Sequence, residues 1–293
     1  MIRGVYKLNY NLAHLTWFKV GGDADVLFKP EDTEDLSAFL KQNASILPVT
    51  VIGAGSNIII RDKGVEGIVV KLGRNFTDIE LLADGVLSVG AACLNFNLAK
   101  FVQSHSIKGF EFLVGIPGTI GGGVAMNAGA YGSEFKDIVM SIQALDKAGN
   151  VHDISSKDIG FTYRNNSLSK NLIITKVIFK AQAGDKASIK ERMNEINKNR
   201  LATQPITEKT GGSIFTNPEG HKAWELIDAA GMANKIIGGA SISSKHCNFM
   251  INNGDATASD IEKLGGLVKT AVKNHSGIEL QWEIKRIGRD EKF

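Results

Sequence analysis

One stretch decides the fold of this chain: Gly115-Ile116-Pro117-Gly118-Thr119-Ile120-Gly121-Gly122-Gly123-Val124-Ala125-Met126-Asn127-Ala128-Gly129-Ala130-Tyr131-Gly132. Seven of its eighteen residues are glycine, without the period of a low-complexity repeat. Because glycine adds no side chain and loses much backbone entropy on folding, such a run indicates a main chain that turns at positive φ or lies against a ligand. Gly121 to Gly123 are predicted to present successive bare N–H groups to phosphate or carbonyl oxygens. The interleaved apolar residues argue against a flexible linker, so we predict a binding loop.

A second glycine turn lies upstream, at Gly53-Ala54-Gly55-Ser56-Asn57. It connects a predicted buried strand at Val49–Ile52 to another at Ile58–Ile60. The dinucleotide fingerprint of doubly wound folds instead has a helix after its glycines, so that interpretation fails here. Any tight turn tolerates two glycines, but Ser56 and Asn57 add side chains that bond phosphate or ribose. Together with the downstream loop, this turn predicts a nucleotide site.

Composition bounds the class of protein. The chain has 293 residues, 43% hydrophobic and 22% charged, which suggests about two domains with a real core. A net charge of +3 does not favour nucleic acid or an anionic membrane as a partner. Cys93 and Cys247 have no metal or disulfide spacing, which fits a reducing compartment. Neither a signal-peptide core nor an apolar run of membrane-spanning length is present, so we expect a cytoplasmic location.

Hydrophobic periodicity and capping residues predict alternating helices and strands. Predicted strands lie in two pieces within 16–29 around Gly21-Gly22, and at about 139–145, 172–181 and 280–288. Helices are predicted from Asp32, at Asn95–Ser104, at Lys186–Leu201, at about 221–230 and from a capping box at Thr257 to Gly277. The pattern is that of an α+β protein.

Four polar residues are candidates for a functional role, and each also has an ordinary structural interpretation. Arg164 follows an aromatic-rich segment predicted to be a strand, yet a lone arginine is usually a solvated surface residue. Ser213 fits a turn serine that bonds its own backbone. Glu283 fits an exposed strand carboxylate, and His246 fits either a core histidine or a ligand contact. From the residues alone, the chain is a two-loop dinucleotide or flavin binder with a separate C-terminal domain.

In their order, the motifs resemble those of the UDP-N-acetylenolpyruvoylglucosamine reductases, flavoenzymes of bacterial cell-wall precursor synthesis. The resemblance spans about Thr16 to Gly288. It is carried by Gly53-Ala54-Gly55-Ser56-Asn57, Glu111-Phe112-Leu113-Val114-Gly115-Ile116-Pro117-Gly118-Thr119-Ile120-Gly121-Gly122, Asn127-Ala128-Gly129-Ala130-Tyr131-Gly132, Tyr163-Arg164, Gly212-Ser213-Ile214-Phe215-Thr216-Asn217-Pro218, Lys245-His246 and Glu283. The first two motifs alone indicate only the wider class of FAD-binding domains that several oxidases share.

The resemblance implies an α+β fold with a two-lobed FAD-binding domain of the oxidase type, followed by a smaller α+β substrate-binding domain. Residues 1–70 would form the first lobe, to which a C-terminal strand within 278–293 returns. Residues 71–204 would form the second lobe and 205–277 the substrate-binding domain. FAD is the implied cofactor and NADPH the co-substrate, and the implied reaction reduces UDP-N-acetylenolpyruvoylglucosamine to UDP-N-acetylmuramate.

The same resemblance implies a role for each matched residue. FAD would be bound by Gly53, Ala54, Gly55, Ser56, Asn57, Gly118, Thr119, Gly121, Gly122, Asn127, Ala128 and Gly129. The sugar nucleotide would contact Tyr131, Tyr163, Asn217, Lys245 and His246. After hydride transfer from flavin N5 to C3, Arg164 and Glu283 would stabilise the enolate-like species and Ser213 would deliver a proton to C2. Glu283 would then hold a proton, which requires the raised pKa of a desolvated site beside Trp282.

The sequence also departs from the family's pattern and leaves alternatives open. The interval of 49 from Arg164 to Ser213 leaves no room for the tyrosine-bearing loop of one branch. Thr203 stands where some relatives carry a phosphate-contacting lysine, for which Lys198 or Lys209 would substitute. The alternatives are an FAD-dependent oxidase and a non-catalytic sensor of UDP-sugars. We expect a monomer with small-molecule substrates, and without nucleic acid, membrane or metal as a partner.

Overall fold

The computed structural model describes residues 2–168 and 170–290 as a mixture of strands and helices, which confirms the α+β class. The strands are β1 (Val5–Asn11), β2 (Asp23–Lys29), β3 (Val49–Val51), β4 (Ile58–Ile60), β5 (Val65–Val70), β6 (Ile79–Leu82), β7 (Val86–Gly90), β8 (Ile107–Lys108), β9 (Gly129–Ala130), β10 (Ser133–Glu134), β11 (Val139–Leu145), β12 (Val151–Ser155), β13 (Ile173–Lys180), β14 (Gln182–Ala183), β15 (Ile236–Ile237), β16 (Ala240–Ile242), β17 (Met250–Asn252) and β18 (Lys285–Ile287). The α-helices are α1 (Thr33–Asn43), α2 (Asn95–Ser104), α3 (Ile120–Ala125), α4 (Ser156–Ile159), α5 (Lys186–Thr203), α6 (Ala223–Ala229) and α7 (Ala258–Ser276). Short 3-10 helices lie at Ala13–Leu15, Arg74–Phe76, Ala83–Gly85, Glu111–Gly115 and Phe135–Asp137.

The chain folds into two compact units. Unit 1 contains the described residues of 2–8, 26–54 and 67–199, and unit 2 contains 9–25, 55–66 and 200–290. The predicted three-part division, with boundaries after residues 70 and 204, stays a prediction. Its positions 1 and 291–293 lie outside the described residues. None of the helices in the described ranges has the length and apolar character needed to cross a membrane.

The largest sheet of unit 1 has five antiparallel strands in the order β12-β11-β13-β7-β6. Alternate residues of β13 are buried, because successive side chains of a strand point to opposite faces of the sheet. The buried side packs into a core with the rings of Phe110, Phe135 and Phe179. Ile120 and Val124 of α3 belong to the same core, so the predicted glycine loop is anchored to this sheet.

A four-stranded sheet has the order β1-β2-β5-β3, with β3 and β5 parallel. Helix α1 begins after Asp32, whose side chain accepts the N–H of Asp35 as an N-cap. Its apolar side buries Leu36 and Leu40 together with Phe28. Strand β3 ends at Val51 and leads into the first glycine turn, as predicted, although its residues are only half-buried or exposed.

Unit 2 is built on the three-stranded sheet β15-β16-β17 and helix α7. Thr257 and Asp260 form the predicted capping box, and Gly277 ends the helix at a φ of 75°. Strand β18 pairs in parallel with β4, which confirms that the last strand returns to residues 58–60. The strand covers only Lys285–Ile287, so the predicted strand over 280–288 is too long.

Three further local predictions are wrong. Residues 16–22 form no strand, because the Thr16 hydroxyl holds this segment as a loop by donating to the carbonyls of Ala13 and Val20. The aromatic segment before Arg164 is a turn with a bridge between Thr162 and Asn165. Helix α3 lies inside the stretch predicted as a continuous loop.

Candidate functional site

The first glycine turn begins in unit 1 with Gly53 and Ala54, which line a cavity of about 280 Å³. Among the described residues, none accepts a hydrogen bond from the N–H of Gly53 or of Ala54. The carbonyl of Gly53 accepts from Nζ of Lys71 at 2.6 Å. Two main-chain donors without protein acceptors and a cation therefore belong to residues that line one cavity, as a site for an anionic ligand requires.

The second glycine segment has a different hydrogen-bonding pattern. Its N–H groups donate to protein atoms: Gly121 to the carbonyl of Ala91 at 2.8 Å, Gly122 to Oγ1 of Thr119 at 3.3 Å and Gly123 to the carbonyl of Thr119 at 2.8 Å. The prediction that Gly121 to Gly123 present bare N–H groups is therefore wrong. Thr119 is the N-cap of α3, and this cap turns the predicted loop into a helix.

Close packing explains why this helix needs glycine. A Cβ added at Gly123 would overlap the buried ring of Phe135, and one at Gly121 would lie 2.9 Å from Cβ of Ala91. At Gly122, which lines the cavity, an added Cβ would meet only Oγ1 of Thr119, at 3.2 Å. Gly118, also predicted to bind the cofactor, accepts the N–H of Asn95 at its carbonyl.

The two glycine segments of unit 1 lie against each other. A Cβ added at Gly53 would lie 2.6 Å from Oγ1 of Thr119, and both residues line the same cavity. The lining of the cavity also includes the apolar side chains of Ile52, Leu72 and Leu172. The structure thus brings Gly53, Ala54, Thr119, Gly121 and Gly122 of the predicted cofactor residues to one place.

Asn127, Ala128 and Gly129 follow α3 and hold the local backbone. The Asn127 side chain is buried, donates to Glu134 at 2.9 Å and to the carbonyl of Thr162 at 3.0 Å, and accepts the N–H of Lys136. Ala128 donates its N–H to the carbonyl of Gly123. The amide side chain of Asn127 is therefore occupied by protein partners, so a cofactor contact by this residue would use its main chain.

Arg164 of unit 1 has a left-handed φ of 54°, which aims its side chain back at this segment. Its Nη2 donates to the carbonyl of Gly129 at 2.8 Å, and its guanidinium carbon lies 5.1 Å from the ring centre of Tyr163. The Tyr163 ring is 54% exposed. The hydroxyl of Tyr131 donates to Asn199 at 3.4 Å. Arg164 and the two predicted substrate tyrosines therefore belong to unit 1.

Gly55, Ser56 and Asn57, the remainder of the first turn, belong to unit 2. The carbonyl of Gly55 accepts the N–H of Trp17 at 2.9 Å, and that of Asn57 accepts the N–H of Lys285 at 3.1 Å. The first bond ties the turn to the loop at 16–22, and the second ties it to the start of β18.

Ser213 and Glu283 lie on adjacent backbone segments of unit 2. The N–H of Glu283 donates to the carbonyl of Ile214 at 2.8 Å, and Phe215 forms a bridge with Trp282. The rings of Phe215 and Trp282 are 5.0 Å apart between centres, which fixes this register by packing. Glu283 precedes β18, so its predicted position within a strand is wrong. Two of the three predicted catalytic residues are thus neighbours, although 70 positions separate them.

The predicted substrate residues of unit 2 are Asn217, Lys245 and His246. Oδ1 of Asn217 accepts the N–H of Ala223 at 2.9 Å, at the start of α6. Nζ of Lys245 donates to the carbonyl of Leu201 at 2.6 Å. Nδ1 of His246 accepts the N–H of Asn248 at 3.3 Å, and burial lowers its pKa. A neutral ring that accepts at Nδ1 carries its proton on Nε2, so His246 offers a donor there.

Comparison with known proteins accounts for the region of unit 1 that contains the two glycine segments. Residues 24–155 match the family described as "FAD binding domain", a range that includes Gly53, Ala54 and the second glycine segment. The chain is therefore an FAD-binding flavoprotein in which two glycine segments line the cavity of unit 1.

Residues 204–287 match the family described as "UDP-N-acetylenolpyruvoylglucosamine reductase, C-terminal domain". The UDP-N-acetylenolpyruvoylglucosamine reductases of Rickettsia peacockii and Rickettsia canadensis are 64% and 62% identical to this chain, and each alignment covers 99% of this chain and 98% of the relative. The crystal structure of the Thermus caldophilus reductase has 32% identity and a TM-score of 0.85, and the alignment covers 98% of this chain and 100% of that one. The chain belongs to the UDP-N-acetylenolpyruvoylglucosamine reductase family, and it is an FAD-dependent oxidoreductase. The predicted cofactor FAD follows from the same matches.

The cavity of unit 1 fits part of an FAD molecule. Its donors, the N–H groups of Gly53 and Ala54 and the ammonium of Lys71, suit an anion, and its apolar wall suits a flat ring. A Cβ at Gly53 would intrude between this turn and Thr119, so the cradle requires glycine. The residues present therefore fit the cofactor.

Lys71 is the lining residue that the sequence analysis missed. It directly follows the apolar run Ile68-Val69-Val70 of β5. A charged residue at the end of a buried strand was the available signal, but many surface lysines share that position. Its importance comes from Gly53, 18 positions away, whose carbonyl it contacts.

Proposed function

We propose that this chain reduces UDP-N-acetylenolpyruvoylglucosamine to UDP-N-acetylmuramate with NADPH. Bound FAD would supply the redox chemistry, which is hydride transfer between NADPH and C3 of the enolpyruvyl group. Negative charge then develops on C2 and the carboxylate of the substrate. The observation that carries the proposal is that Ser213 and Glu283 lie on adjacent backbone segments of unit 2, which supports a proton donor and a second acid in one region of a family member.

Ser213 donates the proton to C2 in this proposal. A serine hydroxyl is a weak acid, so it serves only against a strongly basic carbanion, and a water relay fits the same role. The bridge to Phe249 and the neighbouring bond from Ile214 to Asn248 hold the Ser213 main chain against the segment at 248–249. A fixed donor avoids the entropic cost of orienting one during the reaction.

Arg164 and Glu283 stabilise the charge that develops on the substrate. The guanidinium of Arg164 is oriented by the carbonyl of Gly129 and by the ring of Tyr163, so it needs little reorganisation when charge appears. Glu283 contributes as a hydrogen-bond donor when it holds a proton. Its backbone is fixed through Ile214, and the neighbouring Trp282 packs on Phe215.

The sugar nucleotide is bound by Tyr131, Tyr163, Asn217, Lys245 and His246. Asn217 uses its oxygen at α6 and keeps its amide N–H groups for the ligand. Nε2–H of His246 is a neutral donor and the ammonium of Lys245 is a cation, a combination that suits a diphosphate and its sugar. Small-molecule substrates and a monomeric enzyme complete the proposal.

Anaerobic mixing tests the reaction directly. NADPH should bleach the yellow flavin absorbance, and the enolpyruvyl substrate should restore it without oxygen. Recolouring only in air would indicate an oxidase, and a colourless purified protein would indicate a sensor.

Ser213→Ala tests the proton donor. Reduction by NADPH should keep the wild-type rate, while reoxidation by substrate should slow roughly 100-fold or more, the contribution typical of a positioned general acid. Stopped-flow absorbance measures the two half-reactions separately. Ser259→Ala, in α7 and outside every predicted site, is the matched control. Equal losses in both half-reactions would mean that Ser213 only shapes the substrate site.

A further inference from the structure

The cavity of unit 1 contains one ionisable side chain among the described residues that line it, Lys71. Its Nζ donates to the carbonyl of Gly53 at 2.6 Å, and it forms no ion pair with a carboxylate in the part of the chain that the structure describes. An ammonium has three N–H donors, so this single hydrogen bond leaves most of its capacity unused. Lys71 is therefore a cation facing a partly enclosed site without a counter-charge.

Such an arrangement is costly without a ligand. Burial lowers the pKa of Lys71, and the nearby charge of Lys29 lowers it further. Leu72 and Leu172, also in the lining, offer no polar compensation. A half-buried ammonium beside apolar side chains is partly desolvated, so its position here points to a negative ligand group.

The adjacent main chain supplies the other half of an anion site. The N–H groups of Gly53 and Ala54 have no acceptor among the described residues, and the Gly53 carbonyl carries the Lys71 contact. The N–H groups of Gly121 to Gly123 are already bonded within the protein. The first turn and Lys71 therefore offer the cavity donors that Gly121 to Gly123 do not.

We propose that Lys71 binds the diphosphate of FAD together with the N–H groups of Gly53 and Ala54. This inference rests on the proposed function, because it takes the flavin cofactor as the ligand of the unit 1 cavity. A lysine acts on phosphate as a point charge, so the ammonium contributes electrostatic attraction. The main-chain N–H groups contribute the directional hydrogen bonds. Lys71 thereby sets the affinity for the diphosphate and not for the flavin ring.

Proton uptake is a consequence of this arrangement. The diphosphate stabilises the charged form of Lys71, so binding raises a pKa that burial lowers in the free protein. FAD binding should therefore take up protons at alkaline pH, and FAD affinity should fall as the pH rises toward the pKa of the bound state. If Lys71 only held the Gly53 carbonyl, the affinities for FAD and for riboflavin would have the same pH dependence.

The test is a titration of flavin-free, full-length protein with FAD, ADP and riboflavin, followed by flavin fluorescence and by displacement. Lys71→Met should weaken FAD and ADP by roughly 10- to 100-fold, the range for one lost charge-assisted hydrogen bond. Riboflavin, which lacks the diphosphate, should bind as it does to the wild type. Lys71→Arg, which keeps the charge, should recover much of the FAD affinity. Lys157→Met, on the exposed side of α4, makes the same change in net charge and should leave all three affinities unchanged.

The same titrations contain the outcomes that overturn the proposal. Equal weakening of riboflavin and FAD would mean that Lys71 shapes the cavity, and unchanged FAD affinity would mean that it does not contact the diphosphate. If Lys71→Met does not fold, Lys71→Arg and the pH dependence in the wild type decide: pH-independent FAD affinity at alkaline pH contradicts the proposal. Wild-type protein that binds no flavin would instead count against the proposed function, so the two failures differ.

Discussion

Two glycine segments of unit 1 have similar composition and opposite hydrogen bonding. At Gly53 and Ala54, which line the cavity, the N–H groups have no acceptor among the described residues. At Gly121 to Gly123 the N–H groups are bonded to Ala91 and Thr119. The first segment is open because strand β3 ends before it and no helix follows. The second is closed because Thr119 caps a helix.

The difference teaches that glycine has two separate uses in this site. In the second segment the missing side chain lets α3 pack on Phe135 and Ala91, so glycine there serves the fold. In the first segment the missing side chain leaves room beside Thr119 and exposes donors, so glycine there serves the ligand. Substitutions should separate the two uses.

Gly123→Ala should have the largest effect on stability. Its methyl group would overlap the Phe135 ring, which is fully buried, and overpacking of this kind costs about 1–3 kcal/mol. Urea denaturation of the FAD-free protein measures the change in the free energy of unfolding. Gly266→Ala in α7, where an added Cβ meets nothing within 4 Å, is the control and should be neutral or stabilising. An unchanged free energy of unfolding in Gly123→Ala would contradict the packing role.

Gly53→Ala should weaken FAD binding by roughly tenfold, about 1.4 kcal/mol, because its methyl group would contact Oγ1 of Thr119 at 2.6 Å and distort the open turn. Fluorescence titration with FAD measures the loss. Thr119→Ala removes that contact and loses the helix cap, at a cost of about 1 kcal/mol in stability. The double variant should bind FAD better than the two single losses predict, and additive losses would show that the two segments do not act on each other.

Gly122→Ala should have a smaller effect, on binding alone. Its methyl group projects toward the cavity and meets only Thr119, while alanine favours a helix over glycine by roughly 0.5–1 kcal/mol. We therefore expect unchanged or slightly raised stability with FAD affinity a few-fold lower. Stability lost as severely as in Gly123→Ala would remove the distinction between neighbouring glycines.

The smallest effect is expected on the alkylation rate of Cys93. Its carbonyl accepts the N–H of Ile120 at the start of α3, and burial raises the pKa of its thiol to about 11. At pH 8 the thiol stays protonated, so alkylation by iodoacetamide should be slow in the native protein. Gly123→Ala should speed the labelling of Cys93 by loosening α3, whereas Gly53→Ala should not. Peptide mass spectrometry distinguishes Cys93 from Cys247, and equal labelling in both variants would contradict the comparison.

Much of the fold follows from local sequence signals. Helix α2 has the bounds predicted from its apolar spacing, and the capping box at Thr257 and the stop at Gly277 start and end α7 as predicted. These signals act within a few residues of the backbone that they shape. The segment at 16–22 forms no strand because the Thr16 hydroxyl bonds to the carbonyls of Ala13 and Val20, and the segment before Arg164 turns through main-chain bonds between Thr162 and Asn165.

The candidate site was predictable where motifs mark it and not where distant residues meet. The glycines of both segments were recognised, but their hydrogen bonds depend on Ala91 and Thr119, which composition does not reveal. Lys71 was not predicted as a site residue because its partner, the Gly53 carbonyl, is 18 positions away in the sequence. The adjacency of Ser213 and Glu283 likewise depends on the Ile214 carbonyl and on packing between Phe215 and Trp282.

Residue-resolved amide hydrogen exchange, followed by NMR with and without FAD, tests the central comparison most directly. The N–H groups of Gly53 and Ala54 should exchange fast in the flavin-free protein and become protected when FAD binds. Those of Gly121 and Gly123 should be protected in both states, because their acceptors are protein carbonyls. Fast exchange at Gly121 and Gly123 that only FAD suppresses, with Gly53 and Ala54 unaffected, would contradict the account.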